Sequence, residues 1–186
     1  MDANDAMELL ATAVEPAPGT WVDLGAGAGT FTRALASIVG PPSRIYAIDT
    51  DARALEAIGR SSFPRGVEVS TIRGDFAAPA TLAALGDAKF SGILAANSLH
   101  FVRDADAVLA RWISRLADNG RIVVIEYDRR APSRWMPYPL PPARLADIAR
   151  DLGLPEPRVT ARRPSEYSGE LYVATIAGGK KPDSLG

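Results

Sequence analysis

The chain has 186 residues, no cysteine, a single histidine and a net charge of −1. Disulfides and thiolate chemistry are therefore excluded, a dedicated zinc site is not expected, and the near-neutral charge gives no global pull toward nucleic acid or membrane. With 47% hydrophobic and 23% charged residues the composition is ordinarily globular, and the length suits one domain burying about 70% of its unfolded surface.

In chain order, residues 5–15 place Ala6, Leu9, Leu10, Ala13 and Val14 on one helical face, and Pro16 and Pro18 stop that helix. A strand at 20–25 leads to a helix at 29–39 with Phe31, Leu35 and Ile38 inward. After Pro41-Pro42 comes a strand at 43–48, then a helix at 52–59 capped by Asp51. A strand at 67–72, a short helix near 79–85 and a strand at 89–96 follow. Asp104 caps the clearest helix, whose apolar positions Ala105, Val108, Leu109, Trp112, Ile113 and Leu116 follow helical spacing. Asn119-Gly120 is a turn, and the fifth strand is 121–127. Residues 128–142, DRRAPSRWMPYPLPP, form a loop with five prolines and three arginines. A helix at 142–152 and two strands near 157–163 and 170–176 complete the pattern, the last reached through the turn PSEYSG. Residues 1–177 read as a single domain and 178–186 as a disordered tail. The N-terminus MDANDAMELL has no basic n-region, and no apolar run reaches the roughly 18 residues of a membrane helix. A soluble, cytoplasmic protein without a membrane partner is the expectation.

Residues 22–32, VDLGAGAGTFT, carry the strongest signal. An apolar strand runs into Gly25, Gly27 and Gly29, and a helix follows at once. Such a turn forms nucleotide sites at the carboxyl end of the first strand of α/β folds. The dinucleotide fingerprint G-x-G-x-x-G would put its third glycine where Thr30 stands. The spacing is instead G-x-G-x-G, preceded by Asp23.

This pattern resembles the first motif of the class I S-adenosylmethionine-dependent methyltransferases. The resemblance continues in register over roughly 20–177: IYAIDTD at 45–51 ends a strand in Asp49, and VEVSTIRGDF at 67–76 ends one in Asp75-Phe76. FSGILAANSLHFV at 90–102 and ADNGRIVVIEYD at 117–128 match the fourth and fifth strands. The resemblance implies a three-layer, Rossmann-like α/β fold. Its sheet would have seven mostly parallel strands, an antiparallel C-terminal strand and helices on both faces. It also implies S-adenosylmethionine as cofactor.

Within that resemblance, Gly25, Gly27 and Gly29 let the backbone lie against the ligand. Asp49, about 20 residues past the glycine loop, would accept both ribose hydroxyls; the competing role is a helix N-cap. Asp51 reads as a cap, and Thr50 as a weak contact to the adenine edge. Asp75 would meet the adenine amine and Phe76 the purine face, against a turn residue and plain core packing. Asp23 would orient the loop or reach the ligand's amino group through water. Asn97, ending the fourth strand, would approach the methionine part or cap a loop.

The implied reaction is methyl transfer by in-line displacement, in which the protein chiefly holds the reactants in line. His100 is the candidate general base, against a polar loop or substrate-positioning residue; Glu126, Tyr127 and Asp128 are secondary candidates. Arginines 129, 130, 134, 144, 150, 158, 162 and 163 exceed nearby acids by five. They suggest an anionic small-molecule acceptor, an RNA or protein acceptor, or a solvated surface. Trp135 and Tyr138 wall an apolar pocket or anchor the loop. With little chain left to cover the substrate, the expectation is an open cleft, a large or tethered acceptor, or a site completed by another subunit of a homo-oligomer. Two alternatives stand beside the methyltransferase: a non-catalytic binding or assembly protein with this fold, and a nicotinamide-dinucleotide oxidoreductase.

Overall fold

The computed structural model describes residues 2–129, 131–164 and 169–178. Its helices are α1 (Ala3–Ala11), α2 (Thr30–Val39), α3 (Ala52–Gly59), α4 (Pro79–Ala83), α5 (Ala105–Ile113) and α6 (Pro142–Asp151). Its strands are β1 (Thr20–Leu24), β2 (Ser43–Asp49), β3 (Val67–Arg73), β4 (Phe90–Ala96), β5 (Leu116–Tyr127), β6 (Arg158–Pro164) and β7 (Glu170–Ala177). They form one seven-stranded sheet in the order β3-β2-β1-β4-β5-β7-β6. Strands β1 to β5 run parallel, and β7 pairs antiparallel with both β5 and β6. The α/β fold and its antiparallel C-terminal strand are as the sequence predicts.

Alternation along the central strands explains the layers. Val22, Leu24, Ile93, Ile122 and Val124 point to one face, where Trp112 of α5 and Leu145 and Ile148 of α6 cover them. Trp21, Leu94, Ala96, Val123 and Ile125 point to the other, beneath Leu9 and Leu10 of α1 and Phe31 and Leu35 of α2. Central strands buried on both faces read as continuous apolar runs. No helix among the described residues is long and apolar enough to cross a membrane.

Several boundaries differ from expectation. Helix α1 starts earlier, because the Asp2 side chain accepts the Asp5 N–H at 2.9 Å, and it ends at Ala11, well before Pro16. Asp104 occupies the position before α5 but makes no side-chain cap hydrogen bond. Leu116 belongs to β5 rather than to the α5 face, since it pairs with Phe90. Asn119-Gly120 lies inside β5, where the register jumps from Phe90↔Leu116 to Gly92↔Arg121. Most of the turn PSEYSG and of the expected tail lies outside the described residues.

The proline-rich loop is tied to the sheet. The buried Tyr172 hydroxyl of β7 donates to the Leu140 carbonyl at 2.6 Å, and burial first, then the Glu126 charge, raises its pKa. Replacement Tyr172→Phe strands that carbonyl and should cost about 1–3 kcal/mol. Urea denaturation measures this, and an unchanged midpoint would show that the tie contributes nothing.

Candidate functional site

The parallel strands β1, β2, β3 and β4 all end at one edge, and the glycine turn is folded over it. Gly25 and Ala26 donate their N–H groups to the Ile48 carbonyl at 2.9 Å each. Gly25 has φ of 78°, and a Cβ there would lie 2.5 Å from the Ser98 Cβ. Only glycine lets β1 turn this close to the end of β4. Gly27, at φ of 52°, has no atom within 4 Å of where its Cβ would stand. Its face is open, and its N–H donates to Asp49 Oδ2 at 2.7 Å. Gly29 opens α2 and is turned away, against Ile58.

A cavity of about 700 Å³ lies outside this edge, lined by Gly25, Asp49, Thr50, Asp75, Phe76 and Asn97 among others. A smaller one of about 300 Å³ adjoins it, lined by Asp23, Gly25, Gly27 and Asn97. Of the nine residues expected at a cofactor site, Gly29 alone borders neither cavity. Asp49 Oδ1 accepts the Asp51 N–H at 2.9 Å, which leaves acceptor capacity on both oxygens. The helix cap is Asp51, which accepts from Arg53 and Ala54. Asp75 Oδ1 accepts the Ala77 N–H at 2.8 Å, so this residue also shapes its own turn.

Asn97 stands at the junction. It is the one described non-glycine residue with positive φ, at 53°, a conformation asparagine tolerates better than most residues. Its Oδ1 and the Ser98 Oγ are buried without a hydrogen-bond partner among the described residues. Leaving such atoms unpaired costs about 1–3 kcal/mol each. Both residues line the larger cavity.

The sequence did not single out Thr32, Ser98 or Arg111, and it read Trp112 only as core. Trp112 Nε1–H donates to the Phe76 carbonyl at 3.0 Å, and Arg111 donates to the Ala77 carbonyl at 2.7 Å. Helix α5 thereby pins the loop carrying Asp75 and Phe76. The detectable signal was Trp112 itself, since a buried indole N–H needs an acceptor.

A further cavity of about 550 Å³ shares Asn97 and Phe101 with the first and is lined by His100, Tyr127, Arg129, Ser133, Trp135 and Met136. His100 is buried, with Nδ1 2.7 Å from Glu126 Oε2. Glu126 Oε1 accepts the N–H groups of Leu99 and His100 at 3.0 and 3.2 Å. The contact fixes Nδ1 as the ring nitrogen that meets Glu126 and leaves Nε2 as the other ring nitrogen. Glu126 therefore orients His100, and Tyr127 lines the cavity. Asp128 is drawn away, bonded to Arg162 at 2.8 Å.

Three of the seven described arginines of the 129–163 segment are taken up in ion pairs. Arg150 pairs with Asp147, Arg162 with Asp128 and Glu170, and Arg163 with Asp5. Arg130 lies outside the described residues. Tyr138 lines neither large cavity and lies beneath Arg103, 5.9 Å from ring centre to guanidinium. The Tyr138 N–H bonds the His100 carbonyl at 2.9 Å, fastening the proline loop over the cleft. Loop residues of the same chain wall the cavity, and Trp135, 77% exposed, stands at its mouth.

Asp23 is buried and accepts the Thr32 hydroxyl at 2.6 Å. Burial pushes its carboxyl up to about 7; the Thr32 hydrogen bond opposes this and the Asp49 charge adds to it. A carboxyl raised on folding gives a stability contribution that is full below its unfolded value of 3.8 and is lost as pH rises through about 7. Relative to Asp23→Asn, the free protein should lose up to about 4 kcal/mol between pH 4 and 7.5. Urea denaturation across that window checks this, and parallel profiles for the two proteins would refute it.

Solved structures of similar fold give the comparison. An arsenic(III) S-adenosylmethionine methyltransferase from Chlamydomonas reinhardtii is 19% identical, with a TM-score of 0.71 covering 98% of this chain and 75% of that one. A 1,6-didemethyltoxoflavin-N1-methyltransferase from Burkholderia thailandensis is 20% identical, with a TM-score of 0.66 covering 95% of this chain and 76% of that one. A SAM-dependent methyltransferase from Aquifex aeolicus is 18% identical, with a TM-score of 0.66 covering 94% and 89%. No curated protein matches the sequence. At these identities the likeness establishes the fold. The methyltransferase domain family matches directly over residues 22–120, more than half of the chain, and the chain therefore belongs to that family, in its class I, Rossmann-like form.

Proposed function

We propose that this chain binds S-adenosylmethionine in the 700 Å³ cavity and methylates a small molecule held in the adjoining 550 Å³ cavity. The observation that carries this reading is that eight of the nine residues expected at a cofactor site line the 700 Å³ cavity or the 300 Å³ one beside it. The Burkholderia neighbour supports it, since that structure contains 1,6-didemethyltoxoflavin and S-adenosylhomocysteine together.

Asp49 would hold the ribose diol, with Thr50 nearby at the adenine edge. Asp75 would meet the adenine amine and Phe76 the purine face. Gly25 and Gly27 would present backbone to the methionine portion, with Asn97 and Ser98 accepting from it. Asp23 would be drawn toward its ionised form by a cationic amino group close by. Bound S-adenosylmethionine supplies a methyl group on a sulfonium, whose departure leaves a neutral thioether.

The chain's own contribution is orientation and a proton acceptor. Holding two reactants in line is worth up to ~7–11 kcal/mol of barrier. His100 Nε2 would accept the proton of an acceptor hydroxyl, a service worth ~10²–10⁴-fold. Glu126 keeps the imidazole in the needed tautomer and stabilises its cation, as the third member of a triad does. The chain has no cysteine, so it offers no thiolate to a soft metalloid acceptor.

Calorimetric titration with S-adenosylmethionine, S-adenosylhomocysteine and NAD separates the readings. Binding of the first two alone is expected; NAD binding alone would replace the proposal with a dinucleotide enzyme, and no binding would favour a non-catalytic role. The substitution Asp49→Ala should weaken S-adenosylhomocysteine by ~10–100-fold, as loss of charge-assisted hydrogen bonds does. Asp51→Ala should instead cost about 1 kcal/mol of stability through its lost cap and change affinity by less than about threefold. Equal effects of the two on affinity would remove Asp49 from the ribose site.

A further inference from the structure

The 550 Å³ cavity has a composition that specifies more than size. Its walls bring together Phe101, Tyr127, Trp135 and Met136, with a single cation, Arg129, and the His100 ring at the buried side. Phe101 and Trp135, 58% and 77% exposed, both line this one cavity, so their apolar surface is gathered at its walls. Trp135 is also held in place from outside, with the Arg134 guanidinium 5.5 Å from its ring centre.

The charges around Arg129 are already committed elsewhere. Its neighbour Asp128 bonds Arg162 at 2.8 Å. Glu126 is fully buried beneath His100 and accepts three hydrogen bonds. Among the described residues no ion pair joins Arg129, Arg134, Arg144 or Arg158 to a carboxylate, and of these four only Arg129 lines the cavity. Among the described residues, Arg129 is thus a guanidinium in the wall of an aromatic cavity without a carboxylate partner.

We propose that the acceptor is an aromatic hydroxy acid: a planar ring against Phe101, Trp135 and Met136, a carboxylate on Arg129 and a hydroxyl at His100 Nε2. This rests on the methyltransferase reading above. Methylation of that hydroxyl balances without a further reactant. Its proton passes to Nε2 and then to solvent, its oxygen forms the O–C bond, and the electron pair of the broken C–S bond stays on sulfur.

The probe is 3-hydroxy-2-naphthoate, compared with its methyl ester, each titrated into the full chain with S-adenosylhomocysteine present. The acid should bind at least about tenfold more tightly than the ester, as a charge-assisted contact requires. Arg129→Gln should abolish that preference and leave ester and S-adenosylhomocysteine binding in place, Arg129→Lys should restore part of it, and Trp135→Ala should weaken acid and ester together. If S-adenosylhomocysteine binds while acid and ester bind equally, or neither binds, the acceptor class is wrong and the methyltransferase reading survives. If S-adenosylhomocysteine itself does not bind, both fall.

Discussion

The site depends on how closely β1 can pass the end of β4. These two strands are neighbours at the middle of the sheet, where the connections diverge to either side. A Cβ at Gly25 would lie 2.5 Å from the Ser98 Cβ, so any other residue would force the two strand ends apart. With glycine there, the turn folds over β2, its N–H groups reach the Ile48 carbonyl, and Gly27 comes within 2.7 Å of Asp49. The same approach brings Asn97 and Ser98 to the wall of the cleft. One missing side chain sets the distance between the two halves of the site.

Two buried carboxylates at the strand ends have been given opposite surroundings. Glu126 receives two backbone N–H groups and the His100 ring, enough to hold a buried acceptor in one orientation. Asp23 receives one hydroxyl and faces the Asp49 charge, and its carboxyl is pushed up to about 7. The first arrangement is complete within the chain and serves positioning. The second rests on a single hydroxyl, Asn97 Oδ1 and Ser98 Oγ have no partner among the described residues, and all three residues lie beside the cavities assigned to the cofactor. Asn97 and Phe101 border both cavities, while Asp23 and Ser98 lie only on the cofactor side and Trp135 and Met136 only on the other. That division matches a polar cofactor and a largely apolar acceptor.

The strand ends were legible in the sequence because each coupled an apolar run to a residue with a chemical reason to end it. The run to Asp23 and the glycines, the run to Asp49, and the run to Asp75-Phe76 all point to one edge of a parallel sheet. Local signals misled where two periodicities agreed. Leu116 satisfied helical spacing after Trp112 yet pairs with Phe90 in β5, since an apolar residue at that position suits either element. Asp104 has a cap's chemistry and position without its hydrogen bond. What the sequence could not supply were contacts between distant residues. The Trp112–Phe76 bond spans 36 residues, the His100–Glu126 contact 26 and the Thr32–Asp23 bond 9. Ser98 has no motif to announce it; its importance comes from what Gly25 lacks.

In the proposed function the glycine turn and the Asn97–Ser98 corner form one cofactor-binding surface. The direct measurement is a two-dimensional amide NMR titration of the full chain with S-adenosylhomocysteine. The largest shifts are expected at Gly25, Gly27, Thr50, Asp75, Asn97 and Ser98, with those of β6 unmoved. Shifts centred on the cavity of His100 and Trp135, or spread evenly over the sheet, would contradict it.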